Sequence, residues 1–362
     1  MENKVVVSGM RPTGKLHLGN YWGAIYNFIK LQDKYKCYFF IADLHSLTTS
    51  SDNIDDISNN SLLMVIDWLV CGIDPKKCVI FRQSAVKQHC ELHLILSMIT
   101  PISWTLRNPT FKEQLVELYL KRYKGQEDKA KKADGHLEKI ANLFEMNEDE
   151  SKALNSELAN YGFLGYPILQ SADILLYDAD YVPVGKDQLP HIEMTREIAR
   201  RFNSIFKTNI LKEPKPLLTD FPLLPGIDGK KMSKSYGNTI EIGENDKLLE
   251  KKIMQMFTDP NKKRVDDRGN PDGCVVFSFH KIYNPDFRIR EYECREGRIG
   301  CVKCKKHLFE ILNPIMSELS KKREYYLNNK QLVIDLIEEG NRKAREIASK
   351  KIDEVFKEIK LR

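Results

Sequence analysis

Residues 5–20, VVVSGMRPTGKLHLGN, run from a β-branched apolar stretch through a Gly/Pro-rich loop into a helix start. That order constrains the fold more than any other feature. Val5, Val6 and Val7 suit a central parallel strand, Gly9, Pro12 and Gly14 break it, and Leu16, His17, Leu18 and Gly19 lead into a helical pattern over 21–31. A helix N-terminus carries free N–H groups and partial positive charge, so the segment predicts an anion site, phosphate above all. Its spacing matches neither G-x-G-x-x-G nor G-x-x-x-x-G-K-[ST], so neither standard nucleotide loop is implied.

The alternation continues. Residues 37–42 (CYFFIA) and 78–81 (CVIF) are apolar runs separated by helical patterns over 54–70 and 87–99. This predicts an α/β fold, a Rossmann-type doubly wound parallel sheet with ligands outside the carboxyl ends of its strands. Segments 8–14, 43–45 and 83–84 then share one crevice. A helix over 166–177 brings Gln170 and Asp173, three residues apart, onto one face. A strand over 181–184 ends at Gly185, and a helix follows over 188–202. Gly185, Lys186 and Asp187 therefore fall at the crevice rim, where an aspartate after a strand accepts from ribose hydroxyls.

Pro214, Pro216, Pro222 and Pro225 punctuate a connection to 228–238, DGKKMSKSYGN, whose Lys230, Lys231 and Lys234 suit closure over phosphates. Beyond 240 the pattern is helical (246–257, 305–326, 331–361). The expected division is a catalytic unit over 1–226, the lysine loop over 227–240 and an all-α C-terminal domain over 241–362. Segment 115–160 is rich in Lys and Glu and reads as an exposed helical insertion or as a surface meeting a partner.

With 57 basic against 51 acidic residues the formal charge is +6, so a polyanion must be met by a local basic face. An apolar leader and a long apolar run are both missing, which points to a cytoplasmic chain with no membrane partner. In that reducing setting the eight cysteines read as thiols or metal ligands.

Taken together, the two loops resemble a known family. PTGKLHLGN resembles the HIGH-type motif of class I aminoacyl-tRNA synthetases, with His17, Leu18, Gly19 and Asn20 in its four places, and 231–235 is KMSKS. ADLHSLT, QSADILLYDADYVPVGKDQLPHIEMTREIARRFN and KKMSKSYGN look like the bacterial-type tryptophanyl-tRNA synthetases. The resemblance implies that L-tryptophan attacks the α-phosphate of ATP and that the adenylate passes to the 3′ end of tRNA(Trp). It implies His17, Asn20, Lys231 and Lys234 as catalytic. Arg11, Pro12, Thr13, Gly19, Gly185, Lys186, Asp187, Met232, Ser233 and Ser235 complete the ATP site, with Mg²⁺ assisting. It carries tryptophan binding to Asp173, Gln170 and Gln188, since an indole N–H is donor only and needs an acceptor. A homodimer is also implied, with helices 62–69 and 91–99 as contact candidates. Asp173 would equally bond a phenol, Gln170 stands where many relatives have methionine, and Arg11 where glutamine is frequent. A tyrosine-specific relative and an inactive tRNA- or tryptophan-binding paralogue therefore stand as alternatives.

Cys274, Cys294, Cys301 and Cys304 form a C-x19-C-x6-C-x2-C box within an Arg- and Lys-rich stretch. Four thiolates suit Zn²⁺ or an iron–sulfur cluster equally by spacing. The box resembles that of synthetases carrying a C-terminal [4Fe–4S] cluster, which makes the cluster the favoured reading. It would staple an irregular segment so that Arg288, Arg290, Arg295, Arg298 and Lys303 meet the tRNA anticodon, with Tyr292 free to stack.

Overall fold

The computed structural model describes residues 4–48, 54–106, 161–218 and 224–361. The expected insertion at 115–160 lies outside the described residues.

Five parallel strands, β1 (Val5–Met10), β2 (Lys36–Ile41), β3 (Cys78–Arg82), β4 (Tyr181–Val184) and β5 (Lys215–Leu218), stand in the order β3-β2-β1-β4-β5. The Rossmann-type expectation holds. Alternate residues of β1 and β2 face opposite ways. Val7, Tyr38 and Phe40 join Phe81 under the helices Tyr161–Leu175 and Leu189–Phe206. Val6, Phe39 and Ile41 join Ile80 under Ile54–Cys71 and Tyr26–Gln32. Both faces are covered, as a parallel sheet requires.

Strand β5 falls in the stretch that the prolines suggested was only a connection. It pairs with β4 alone, with Pro216 opposite Val182, and an edge strand tolerates a residue without an N–H. Pro183 is accommodated in β4 because that strand meets β1 only at Val6–Tyr181.

The helical C-terminal region begins with Asp246–Gln255, Val275–Tyr283 and Phe287–Arg295, so the segment expected to be irregular is itself helical. Two long helices follow, Cys301–Asn328 and Lys330–Glu358. The last returns to the sheet, adding Val333 and Ile337 to one face and Ala344, Ala348, Ile352 and Val355 to the other. Gly340 permits this approach, since a Cβ there would lie 1.7 Å from the Ile80 carbonyl oxygen. Asn341 Oδ1 accepts the Arg82 N–H at 2.8 Å, closing the free edge of β3.

Of the helices proposed for subunit contact, 62–69 is committed to the core, with Met64, Val65, Ile66 and Trp68 all fully buried. The helix Gln88–Ile99 instead leaves Leu94 and Met98 exposed, at 56% and 74%. Among the described residues no helix is long and apolar enough to cross a membrane.

Candidate active site

The chain reverses its direction across the sheet between β1 and β4, where a doubly wound fold opens a crevice beyond its strand ends. A cleft of about 380 Å³ lies there, lined by Gly9 at the end of β1 and Arg11 just after it, by His45, by Gln170 and Asp173, and by Gly185 and Gln188 after β4. Gln170 and Asp173 reach it from the same helix. Burial holds the Arg11 guanidinium below its usual range, against the opposing influence of Tyr166. Asp187 and Lys186 are exposed at the rim, and Gln188 Nε2 donates to Asp187 Oδ2 at 3.0 Å.

Asp173, only 1% exposed, is already the hub of a polar web. Its Oδ1 accepts from Gln83 Nε2 at 2.7 Å and from His89 Nδ1 at 2.6 Å, and its Oδ2 accepts from His45 Nε2 at 2.8 Å. Burial raises its pKa, but the hydrogen bonds from His45 and His89 outweigh this and hold it below the carboxylate range. With Nδ1 of His89 carrying the proton toward the carboxylate, Nε2 accepts from Tyr177 Oη at 2.8 Å. Three of roughly four lone-pair sites are occupied, which leaves one acceptor for a ligand. His45 and Gln83 belonged to the predicted crevice. His89 sits near the start of the helix Gln88–Ile99 and Tyr177 in the turn after Tyr161–Leu175, and the sequence assigns neither a role.

The two sequence loops meet beside this cleft. Leu18 N–H donates to Ile240 O and Ile242 N–H to Leu16 O, both at 2.9 Å, so the segment after the lysine loop zips against 16–18. Gly19 N–H meets Met232 Sδ at 3.3 Å, and Leu18, Met232 and Ile240 share one core cluster with Val276, Leu308 and Leu312. Lys234 Nζ donates to Thr13 O at 2.7 Å. Gly14, at φ 98°, leaves room for it: a Cβ there would stand 3.1 Å from Lys234 Nζ. Asn238 braces the lysine loop, accepting from Ser233 N–H at 2.8 Å and donating to Lys231 O at 3.1 Å. Lys231 and Thr13 are exposed and Pro12 is buried; Ser235 lies in the turn Lys234–Tyr236.

His17 caps the helix that begins at Leu18. Its Nδ1 accepts from Asn20 N–H at 3.2 Å, and Asn20 Oδ1 accepts from His17 N–H at 3.1 Å. This reciprocal box makes His17 Nδ1 the acceptor, so Nε2 carries the proton and, with Asn20 Nδ2, remains to donate. Burial and then Lys234 lower the His17 pKa to about 4, against Glu241, so the ring is a neutral donor.

The cysteine box collects at helix ends. Cys274 precedes Val275–Tyr283, Cys294 ends Phe287–Arg295, and Cys301 and Cys304 open the helix Cys301–Asn328. The thiols are unpaired, and burial followed by their mutual influence pushes Cys304 up to about 12. Among the described residues no three His, Cys, Asp or Glu side chains close round one metal ion, so the arrangement favours neither zinc nor an iron–sulfur cluster at the box. His280, wholly buried, meets Cys304 Sγ through Nε2 at 3.4 Å. Of the predicted tRNA residues, Arg288, Arg295 and Arg298 are exposed, but Arg295 is paired with Asp272 at 2.8 Å and Glu291 at 3.0 Å, and Arg290 is tied to Glu293 at 2.6 Å. Arg298 lies 5.0 Å over the Tyr292 ring, so that ring is partly engaged.

The family described as tRNA synthetases class I (W and Y) matches residues 2–317. The tryptophan–tRNA ligase of Aquifex aeolicus is 45% identical, over 98% of this chain and 99% of its own. That of Thermotoga maritima is 41% identical over 98% and 99%. Among solved structures, the tryptophanyl-tRNA synthetase of Campylobacter jejuni complexed with ADP and tryptophan superimposes with a TM-score of 0.79. It is 31% identical and covers 98% of this chain and 99% of its own.

Proposed function

The chain belongs to the class I tRNA synthetases of the W and Y family, and from that membership we propose its function: ATP-dependent ligation of L-tryptophan to tRNA through a tryptophanyl-adenylate. The observation that carries the reading is a buried acceptor carboxylate, Asp173, in a cleft that Arg11 also lines, next in sequence to a HIGH-type loop that is bonded to the KMSKS loop through Thr13 and Lys234.

On this reading the indole N–H takes the remaining lone pair of Asp173, with Gln170 alongside and Gln188 toward the amino-acid head. Arg11, Pro12, Thr13 and Gly19 border the nucleotide phosphates, and Gly185, Lys186 and Asp187 hold the adenosine. The tryptophan carboxylate attacks the α-phosphorus as pyrophosphate leaves. His17 Nε2 and Asn20 Nδ2 donate to phosphate oxygens as charge grows on them, and Lys231 and Lys234, with Met232, Ser233 and Ser235 shaping their loop, neutralise the leaving group. Mg²⁺ enters with the nucleotide, adding positive charge at its phosphates. The terminal ribose hydroxyl of the tRNA then attacks the adenylate carbonyl and AMP leaves.

For the helical region 241–362 we propose tRNA anticodon binding through Arg288, Arg295 and Arg298, with Arg290 bracing the surface. A [4Fe–4S] cluster is proposed at Cys274, Cys294, Cys301 and Cys304. Its support is the set of four thiols at neighbouring helix ends, close enough to influence one another, with zinc the alternative at the same cysteines. The cluster would hold the helix ends together. A homodimer is proposed through the exposed apolar strip of Leu94, Met98 and Ile102.

ATP–pyrophosphate exchange with tryptophan and with tyrosine, followed by tRNA charging, tests the reading. Exchange with tryptophan and not tyrosine is expected; no exchange with either would leave only a binding protein. Iron and sulfide analysis after anaerobic purification tests the cluster, and zinc without iron would refute it.

A further inference from the structure

Leu16, the residue before His17, is held by a carboxylate that belongs to neither motif loop nor to the amino-acid cleft. Its N–H donates to Asp67 Oδ2 at 2.9 Å, and Asp67 Oδ1 accepts from Arg323 Nε at 2.7 Å. Asp67 is fully buried on the helix Ile54–Cys71, between the equally buried Ile66 and Trp68. Arg323 comes from the helix Cys301–Asn328, about five turns after that helix leaves the cysteine box. An ion pair buried in apolar surroundings contributes little net stability beside an apolar pair of like volume, because desolvating both charges offsets their attraction. Its position is more telling. The Leu16 carbonyl is fixed by Ile242 N–H, so Asp67 completes the fixing of both backbone groups of the residue that sets the His17 cap. Burial lowers the Lys234 pKa, and Glu241 and then Asp67 oppose that shift.

We propose that Asp67 and Arg323 are a positioning pair for ATP activation: they hold the Leu16 backbone, and through it His17, without touching substrate. This rests on the reading of 5–20 as the ATP loop.

The test uses the full-length chain in three variants: R323M, R323K and the double substitution D67L/R323M. R323M leaves a buried carboxylate unpaired and melts lower or fails to fold. D67L/R323M replaces the pair with apolar groups and melts above R323M, below the parent only by the cost of the Leu16 N–H that has lost its acceptor. In ATP–pyrophosphate exchange the double variant is expected to show an ATP KM raised about tenfold and a lower kcat, with the tryptophan KM unchanged. R323K keeps the charge and one donor and is expected to stay within about threefold of the parent. A double variant whose ATP KM and kcat lie within about twofold of the parent overturns the pair's role. Absence of exchange in the parent overturns the ATP reading instead. Hydrogen exchange over 14–20 then still decides on the pair: faster exchange in the double variant supports it, and unchanged protection sinks it.

Discussion

The amino-acid cleft and the phosphate jaw lie side by side but are built in opposite ways. Around Asp173 the polar groups are buried and already bonded to one another: Gln83, His45, His89 and Tyr177 hold the carboxylate before any ligand arrives. In the jaw, His17, Asn20 and Lys234 are held by backbone atoms, and their remaining donors have nothing to do with the core. A buried web couples recognition to stability, because each member removed strands a partner away from water. A jaw of backbone-held donors separates the two, so chemistry there can be lost while the fold persists.

The sharpest way to break this contrast is Asp173→Ala. It strands three buried donors at once, and the loss expected is about 3–5 kcal/mol of folding free energy. Tryptophan-dependent exchange should disappear with it. Urea unfolding and exchange on the same preparation check both; a variant of unchanged stability would show that the web is incidental.

Lys234→Ala probes the other side. The amine bonds to Thr13 O from an exposed position, so stability should move by less than about 1 kcal/mol. Loss of charge at the leaving pyrophosphate should lower the exchange kcat by about 10²–10³ with the tryptophan KM preserved. A change in KM for tryptophan without a change in kcat would contradict the separation.

Acid titration sharpens the contrast further. Burial, as the first cause in each, holds His17, His191 and His280 at about 4, below the ordinary histidine value. Between roughly pH 6.5 and 4 the unfolded chain therefore binds more protons than the folded one, and stability falls as pH falls through that window. Asp173 is depressed instead, so its contribution persists there and is lost only below the ordinary carboxylate range. Unfolding midpoints from pH 7 to 3 should show two successive declines. His17→Asn should flatten part of the first and leave the second.

The sheet and the two loops were legible because each is a local pattern: a run such as CYFFI has one way to be buried, and HLGN and KMSKS carry their chemistry in consecutive residues. Strand β5 was hidden because Pro216 argues against a strand until one knows that it lies at an edge. The return of Lys330–Glu358 to β3 depends on Gly340 meeting Ile80, a contact between residues far apart in the chain that no local periodicity encodes. Asp173 could be singled out from its neighbours, but His89, Asp67 and Arg323 are ordinary helix residues and Tyr177 an ordinary turn residue until the fold brings them together.

The smallest expected effect tests whether the web extends past its first members. Tyr177 is 3% exposed, its ring stacked on Tyr38 at 5.2 Å, so Tyr177→Phe keeps the packing and removes only the hydroxyl that donates to His89 Nε2. One neutral hydrogen bond is lost and one buried acceptor is left bare, which should lower stability by about 1 kcal/mol. His89 then holds Asp173 less firmly, and the tryptophan KM should rise by about two- to fivefold with the ATP KM unchanged. If stability falls and the tryptophan KM does not, the hydroxyl serves the fold alone and recognition stops at His89. If the ATP KM moves as well, cleft and jaw share a support, and the contrast between them is one of degree.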